Sequence, residues 1–129
     1  MISHYAASDY APAVTRIGLS LVVLWFGVNQ LINPGTFRGY LPGFLLSLSY
    51  AKTIVLLNGV FEIVFGGLLL LGLFTKLSSL LIGLHLIGII IGMGYNDIAV
   101  RDVGLMIVSF GIYLGGADKW SLDYKRRLA

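Results

Sequence analysis

Apolar residues fill this chain in four long stretches, separated by short polar breaks. A helix that crosses the bilayer core needs about 20 mostly apolar residues. Stretches meeting that need run over about 14–32, 53–74, 77–95 and 103–117. The first carries Arg16 early and Asn29 and Gln30 late, the second carries Asn58 and Glu62, and the third has His85 near its middle. The fourth is short, and Lys119 and Trp120 just beyond it are placed to anchor it at the headgroups. Only Thr75 and Lys76 separate the second stretch from the third, so these two must form an antiparallel hairpin. The connection from 33 to 52 contains Pro34, Gly35, Pro42 and Gly43, yet Phe37, Tyr40, Leu41 and Phe44 make it apolar. The pattern over 42–50 predicts a short interfacial or re-entrant helix. Backbone that is not helical survives at membrane depth only where protein buries it or water reaches it. The expected fold is all-α: one domain over 1–129, an integral membrane four-helix bundle.

Composition strengthens this reading. The chain is 57% hydrophobic and 12% charged. A soluble domain of 129 residues could not hide that much apolar surface. The first stretch does not read as a cleaved leader, because little positive charge precedes it and no small-residue cleavage site follows Gln30. There is no cysteine, so thiol–disulfide exchange, thiolate metal sites and cysteine-held iron–sulfur clusters lie outside this chain's own chemistry. No metal site is expected. Much of the net charge of +3 comes from Lys125, Arg126 and Arg127. Beside a helix end, such a run reads as a topology signal, and no nucleic-acid partner is expected.

Four spans place both termini and the Lys76 turn on one side. That side holds six basic residues (Arg16, Lys76, Lys119, Lys125, Arg126, Arg127) against three on the other (Arg38, Lys52, Arg101). The imbalance predicts a multi-pass plasma-membrane protein with both termini in the cytoplasm.

Leucine is no more apolar than a lipid tail, so spans associate through small residues that let backbones approach. Gly88 with Gly92, Gly111 with Gly115, Ser79 with Gly83, and the Gly66-Gly67 pair are candidates, joining helices within one chain or between chains. Residues three or four apart share a helix face. On that basis Gly18, Val22, Trp25 and Asn29 form one stripe, Asn58, Glu62 and Gly66 a second, and Leu81, His85, Gly88 and Gly92 a third. These stripes are expected to point into the bundle.

Glu62 is the most informative residue. A carboxylate near the bilayer centre costs at least ~2.5–3.5 kcal/mol on insertion scales, so it must be paired, neutralised or wetted. Counting from the hairpin turn puts His85 within about one helical turn of its depth. Direct and water-bridged contact are both open. The expectation is a polar cluster of Asn29, Asn58, Glu62, His85 and Arg101, with Trp25 and Tyr95 nearby, opening away from the termini. Glu62 and His85 are the candidate reacting groups, and Asn29, Asn58, Arg101, Trp25 and Tyr95 the candidate ligand-binding ones. The plainer readings are a cluster that fixes helix register, a packing role for Trp25, an Arg101–Asp102 ion pair capping the fourth helix, and turn roles for Asn96 and Asp97.

The run from Asn58 through Glu62, Gly66, Gly67 and Gly72 to Thr75 resembles the second helix of DoxX family membrane proteins. Trp25 to Pro34 resembles the end of their first helix, and Ala99 to Leu105, with Arg101 and Asp102, the entry to their fourth. The resemblance implies a small prokaryotic four-helix membrane protein. It also implies an association with electron transfer from sulfur compounds to quinones, and so a quinone cofactor.

Three functions follow. In the first, a quinone-linked membrane redox component, Glu62 shuttles protons and His85 meets a quinone oxygen. In the second, a non-enzymatic scaffold or assembly subunit, the glycine faces dock a partner membrane subunit or further copies of the chain. In the third, a small transporter, Glu62 and His85 line an ion path.

Overall fold

The computed structural model describes residues 6–128. Its elements in chain order are α1 (Ala7–Ile32), a 3₁₀ segment (Pro34–Tyr40), a single turn α2 (Gly43–Leu46), α3 (Ala51–Leu71), α4 (Thr75–Met93), α5 (Asp97–Gly115) and a short α6 (Leu122–Leu128). No strand occurs among the described residues. Four helices, α1, α3, α4 and α5, are long and apolar enough to cross a membrane. Together they make a four-helix membrane bundle.

The two largest boundary differences, at the starts of α1 and α5, arise where a polar residue, not an apolar run, starts the helix. The ends expected near 74, 95 and 117 fall two or three residues earlier, just before Gly72, Gly94 and Gly116. α1 begins seven residues early because Asp9 accepts the Ala6 N–H at 3.2 Å and closes a polar first turn. α5 begins at Asp97, not near 103, because Asn96 caps it, taking the Ala99 N–H on its side-chain oxygen at 2.8 Å. Asn96 is therefore a helix cap and not an ordinary turn residue. The expected helix over 42–50 shrinks to the single turn α2. The ordered helical piece lies upstream, where Pro34 opens the 3₁₀ segment and Phe37 packs between Phe26 and Tyr40.

The hairpin between α3 and α4 turns at residues 72–74. Gly72 (φ 72°) and Phe74 (φ 49°) are both left-handed there. A Cβ at Gly72 would collide with Ser121, so the turn needs glycine twice over, for conformation and for space. Asp123 holds the turn from α6, accepting the N–H groups of Phe74 and Thr75 and the Thr75 hydroxyl at 2.7–3.0 Å. Partial burial pushes this carboxyl up. The bonds from Thr75 and Phe74 and the nearby Arg126 charge outweigh that push, and the net shift is downward from the usual 3.8.

α1 packs chiefly on α3 and α4 chiefly on α5, with lighter α3–α4 and α1–α5 contacts closing the ring. The closest approach is between Gly27 and Gly59, where a Cβ on either would lie 3.0 Å from the other's carbonyl oxygen. On the other pair, Gly83 receives the Phe110 ring and the Ser109 hydroxyl donates to the Ser79 carbonyl at 2.5 Å. The expected Ser79–Gly83 contact is thus present. Gly88, Gly111 and Gly115 meet no other side chain, and Gly92 meets Pro42 of the connection, not another span. We expect Gly59→Val to lower stability in detergent by ~1–3 kcal/mol or more, since backbone carbonyl cannot move aside as a side chain does. Gly67→Ala, where nothing lies within 4 Å of the added carbon, should leave the melting temperature unchanged. Equal losses in both would disprove the close-approach argument.

At the end of the bundle that carries the termini, Arg16 is 2% exposed. Its guanidinium meets Asp118 at 2.5 Å and donates to the Leu69 and Leu70 carbonyls at 2.9 and 2.6 Å. Those carbonyls belong to the last turn of α3, where a cation complements the helix dipole. Asp9 pairs with Lys119 at 2.9 Å and Tyr10 stacks on Trp120, so the start of α1 and the segment after α5 are pinned together. Arg16, expected only to mark topology, is a structural keystone.

Candidate functional site

Midway along the bundle, the buried face of α1 runs Arg16, Leu19, Val23, Gly27, Gln30 and that of α3 runs Val55, Gly59, Glu62, Gly66, Leu69. Because Gly27 and Gly59 bring the backbones together, Gln30 and Glu62 come within reach of each other. The Gln30 side-chain amide donates to one Glu62 oxygen at 2.8 Å, and His85 Nε2 lies 3.2 Å from the other. Glu62 is 6% exposed. The direct Glu62–His85 contact, one of the two open geometries, is the one that forms. The Phe61 ring lies against the imidazole, centroids 4.5 Å apart, and fixes its position.

Two spaces flank this trio. One is a partly open cavity of about 40 Å³ among α1, α3, α4, α5 and the 3₁₀ segment, walled by Phe26, Gln30, Tyr40, Asn58, Glu62 and Asp102. Water needs about 10–15 Å³ of such space, so the cavity has room for water and not for a cofactor ring. The other is a groove of about 280 Å³ on the outside of the α3–α4 pair, lined by Tyr40, Pro42, Asn58, Leu84, His85 and Gly88. Leu84 and Gly88 are exposed, and at that level of a membrane bundle the surroundings are acyl chains. Asn58 and Tyr40 border both spaces.

The sequence-predicted residues divide. Glu62, His85 and Asn58 come together as expected. Arg101 lines the cavity but makes no hydrogen bond to Glu62. It pairs with the adjacent, buried Asp102 at 2.9 Å and lies over the Phe26 ring at 4.9 Å. The expected Arg101–Asp102 pair therefore exists, but Asn96, not that pair, caps the helix. Asn29 does not join the cluster: its side chain donates to the Trp25 carbonyl of its own helix at 2.7 Å. Trp25 and Tyr95 point outward, 58% and 97% exposed, and touch neither space. The error on α1 is rotational. The stripe through Gly18, Trp25 and Asn29 is the outer face, and Gln30, one residue further, is turned about 100° into the bundle. The better signal was Ser20, Gly27 and Gln30 in phase with Arg16, since a serine, a glycine and two polar residues rarely face lipid.

Energetics make the carboxylate hard to explain by packing alone. Interhelical hydrogen bonds in membranes average about 0.6 kcal/mol, so two of them do not offset the ~2.5–3.5 kcal/mol of placing a charged side chain at mid-membrane. Yet among the described residues no fully buried side-chain polar atom lacks a partner. The site is satisfied, costly and next to space.

A family model described as "Methylamine utilisation protein MauE" matches residues 8–104. This overturns the DoxX assignment. The match covers all of the first- and second-helix runs that suggested DoxX and all but Leu105 of the fourth-helix run. A membrane span is drawn from so few residue types that isolated polar landmarks in apolar sequence do not separate one such family from another. No curated protein and no solved structure matches the chain.

Proposed function

The chain belongs to the MauE family, and from that premise we propose that it is a membrane subunit of a methylamine-utilisation system, handling protons for a quinone-class ring held beside His85. In this reading it sits in the plasma membrane with both termini in the cytoplasm. The carrying observation is the position of Glu62 between a water-sized cavity and a groove facing acyl chains, with His85 as the bridge. The groove has apolar walls and a few polar groups, the usual make-up of a site for a flat apolar ligand. His85 Nε2 is engaged by Glu62, while Nδ1 makes no hydrogen bond to a described residue and is the nitrogen a ring oxygen would meet. Water in the cavity reaches Glu62, and Glu62 reaches the imidazole, so a proton has a path with no long step. Electrons come from a partner, since this chain has no cysteine to carry them.

The test is direct binding. A short-chain ubiquinone analogue titrated into purified protein should saturate, and His85→Gln combined with Gly88→Leu, which fills the groove, should abolish saturation while the helical circular dichroism stays. No saturable binding to the native protein would overturn the reading. One observation favours a second reading, the non-enzymatic scaffold. Gly111 and Gly115 leave a smooth, unoccupied strip on α5 beside exposed Leu114, the type of surface on which another membrane subunit or a second copy packs. Absence of ring binding together with a stable hetero- or homo-oligomer would select that reading.

A further inference from the structure

At the end of the bundle opposite the connection between α1 and α3, an open pocket of about 510 Å³ lies between the α3–α4 turn, the end of α5 and α6. Its walls carry three cations, Lys76, Arg126 and Arg127, and one carboxylate, Asp123. The carboxylate is hydrogen-bonded to Thr75 and Phe74, and it also feels the nearby Arg126 charge. None of the three cations has an ion-pair partner within 4.0 Å among the described residues. Lys76 is steered by the Tyr113 ring, 5.8 Å from its Nζ. Phe74 and Leu77, both exposed, form an apolar rim. Tyr10, Tyr113 and Trp120 ring the same end of the bundle, and such aromatics mark headgroup depth.

We propose that this pocket binds the phosphodiester headgroup of an anionic phospholipid, with Lys76, Arg126 and Arg127 on the phosphate and Phe74 and Leu77 against the first methylenes of the acyl chains. Three positive charges against one negative leave the pocket cationic. Guanidinium groups suit phosphate oxygens because they present paired donors. The apolar rim distinguishes a lipid from a free phosphate, because it gives the chains somewhere to lie and gives an inorganic ion nothing. Basic pockets between spans are a recurring form of lipid headgroup site. The placement also gives α6 a reason to lie folded back across the turn, which brings Arg126 and Arg127 to Lys76.

The test uses the whole protein in detergent, titrated with phosphatidylglycerol and read by native mass spectrometry. Saturable binding is expected, and the triple variant Lys76→Gln, Arg126→Gln, Arg127→Gln should weaken it roughly a hundredfold, from about a fivefold loss for each near-surface charge contact removed. The control is Arg38→Gln with Lys52→Gln, which removes cations at the other end and should leave binding unchanged. Equal weakening by the control would show diffuse attraction and overturn the proposal. Phosphatidylcholine should bind much less tightly, and 10 mM inorganic phosphate should not compete. Competition by phosphate would identify a free-anion site in place of a lipid site. Retention of the native melting temperature by the triple variant separates lost binding from lost folding, and Arg126→Gln alone serves if the triple variant does not fold.

Discussion

Arg16→Ala should lower the stability of the detergent-solubilised bundle by about 3–5 kcal/mol, the usual cost of leaving one member of a buried ion pair without its partner. Asp118 is as deeply buried as Arg16, and the Leu69 and Leu70 carbonyls would lose the guanidinium in the same stroke, Leu69 keeping only the Gly72 N–H at 3.1 Å. The loss therefore comes less from the missing attraction than from what is left behind. Two further variants separate those causes. Asp118→Asn with arginine retained should cost less, because Arg16 keeps two backbone acceptors. Arg16→Met combined with Asp118→Leu removes both charges and should recover a large part of what Arg16→Ala loses. The readout is thermal unfolding in detergent. A double variant as unstable as Arg16→Ala would show that the pair's geometry, and not its burial, carries the stability.

Glu62→Gln should cut proton-linked quinone reduction by at least about a hundredfold, the low end of what a positioned acid or base contributes. Glutamine has nearly the same shape and can keep contacts to Gln30 and His85, but it cannot take up or release a proton. Stability should change by no more than the ~1 kcal/mol of the hydrogen bonds involved. The assay is methylamine-dependent quinone reduction in membranes carrying the complete system. Glu62→Asp, a shorter acid, should restore part of the rate. Full turnover by Glu62→Gln would remove Glu62 from the proton path, and a large fall in melting temperature with parallel loss of rate would make it a packing residue instead.

The four spans were legible because each needs only a count of apolar residues, and the hairpin because its connection is too short for anything else. Glu62 and His85 were legible for a related reason: a polar side chain at mid-membrane stands out against leucine. Helix rotation was not. With α1 apolar nearly all round, a stripe through Trp25 and Asn29 looked as plausible as one through Gly27 and Gln30. What decided between them was the fit of Gly27 against the Gly59 carbonyl, a relation between two helices that neither segment contains. The Arg16–Asp118 pair was hidden for the same reason, since the partners lie 102 positions apart. The family was misread from the features that made the spans easy to find.

That separation has a bearing on biogenesis. The guanidinium enters the bilayer with α1, while its counter-ion is made only after α5. Until then Arg16 must lean toward water or rest on the end of α3, and the unfinished bundle stays loose. Translation of Asp118 is therefore the step that locks α1 to the segment after α5, with the Leu69 and Leu70 carbonyls the guanidinium's other holds.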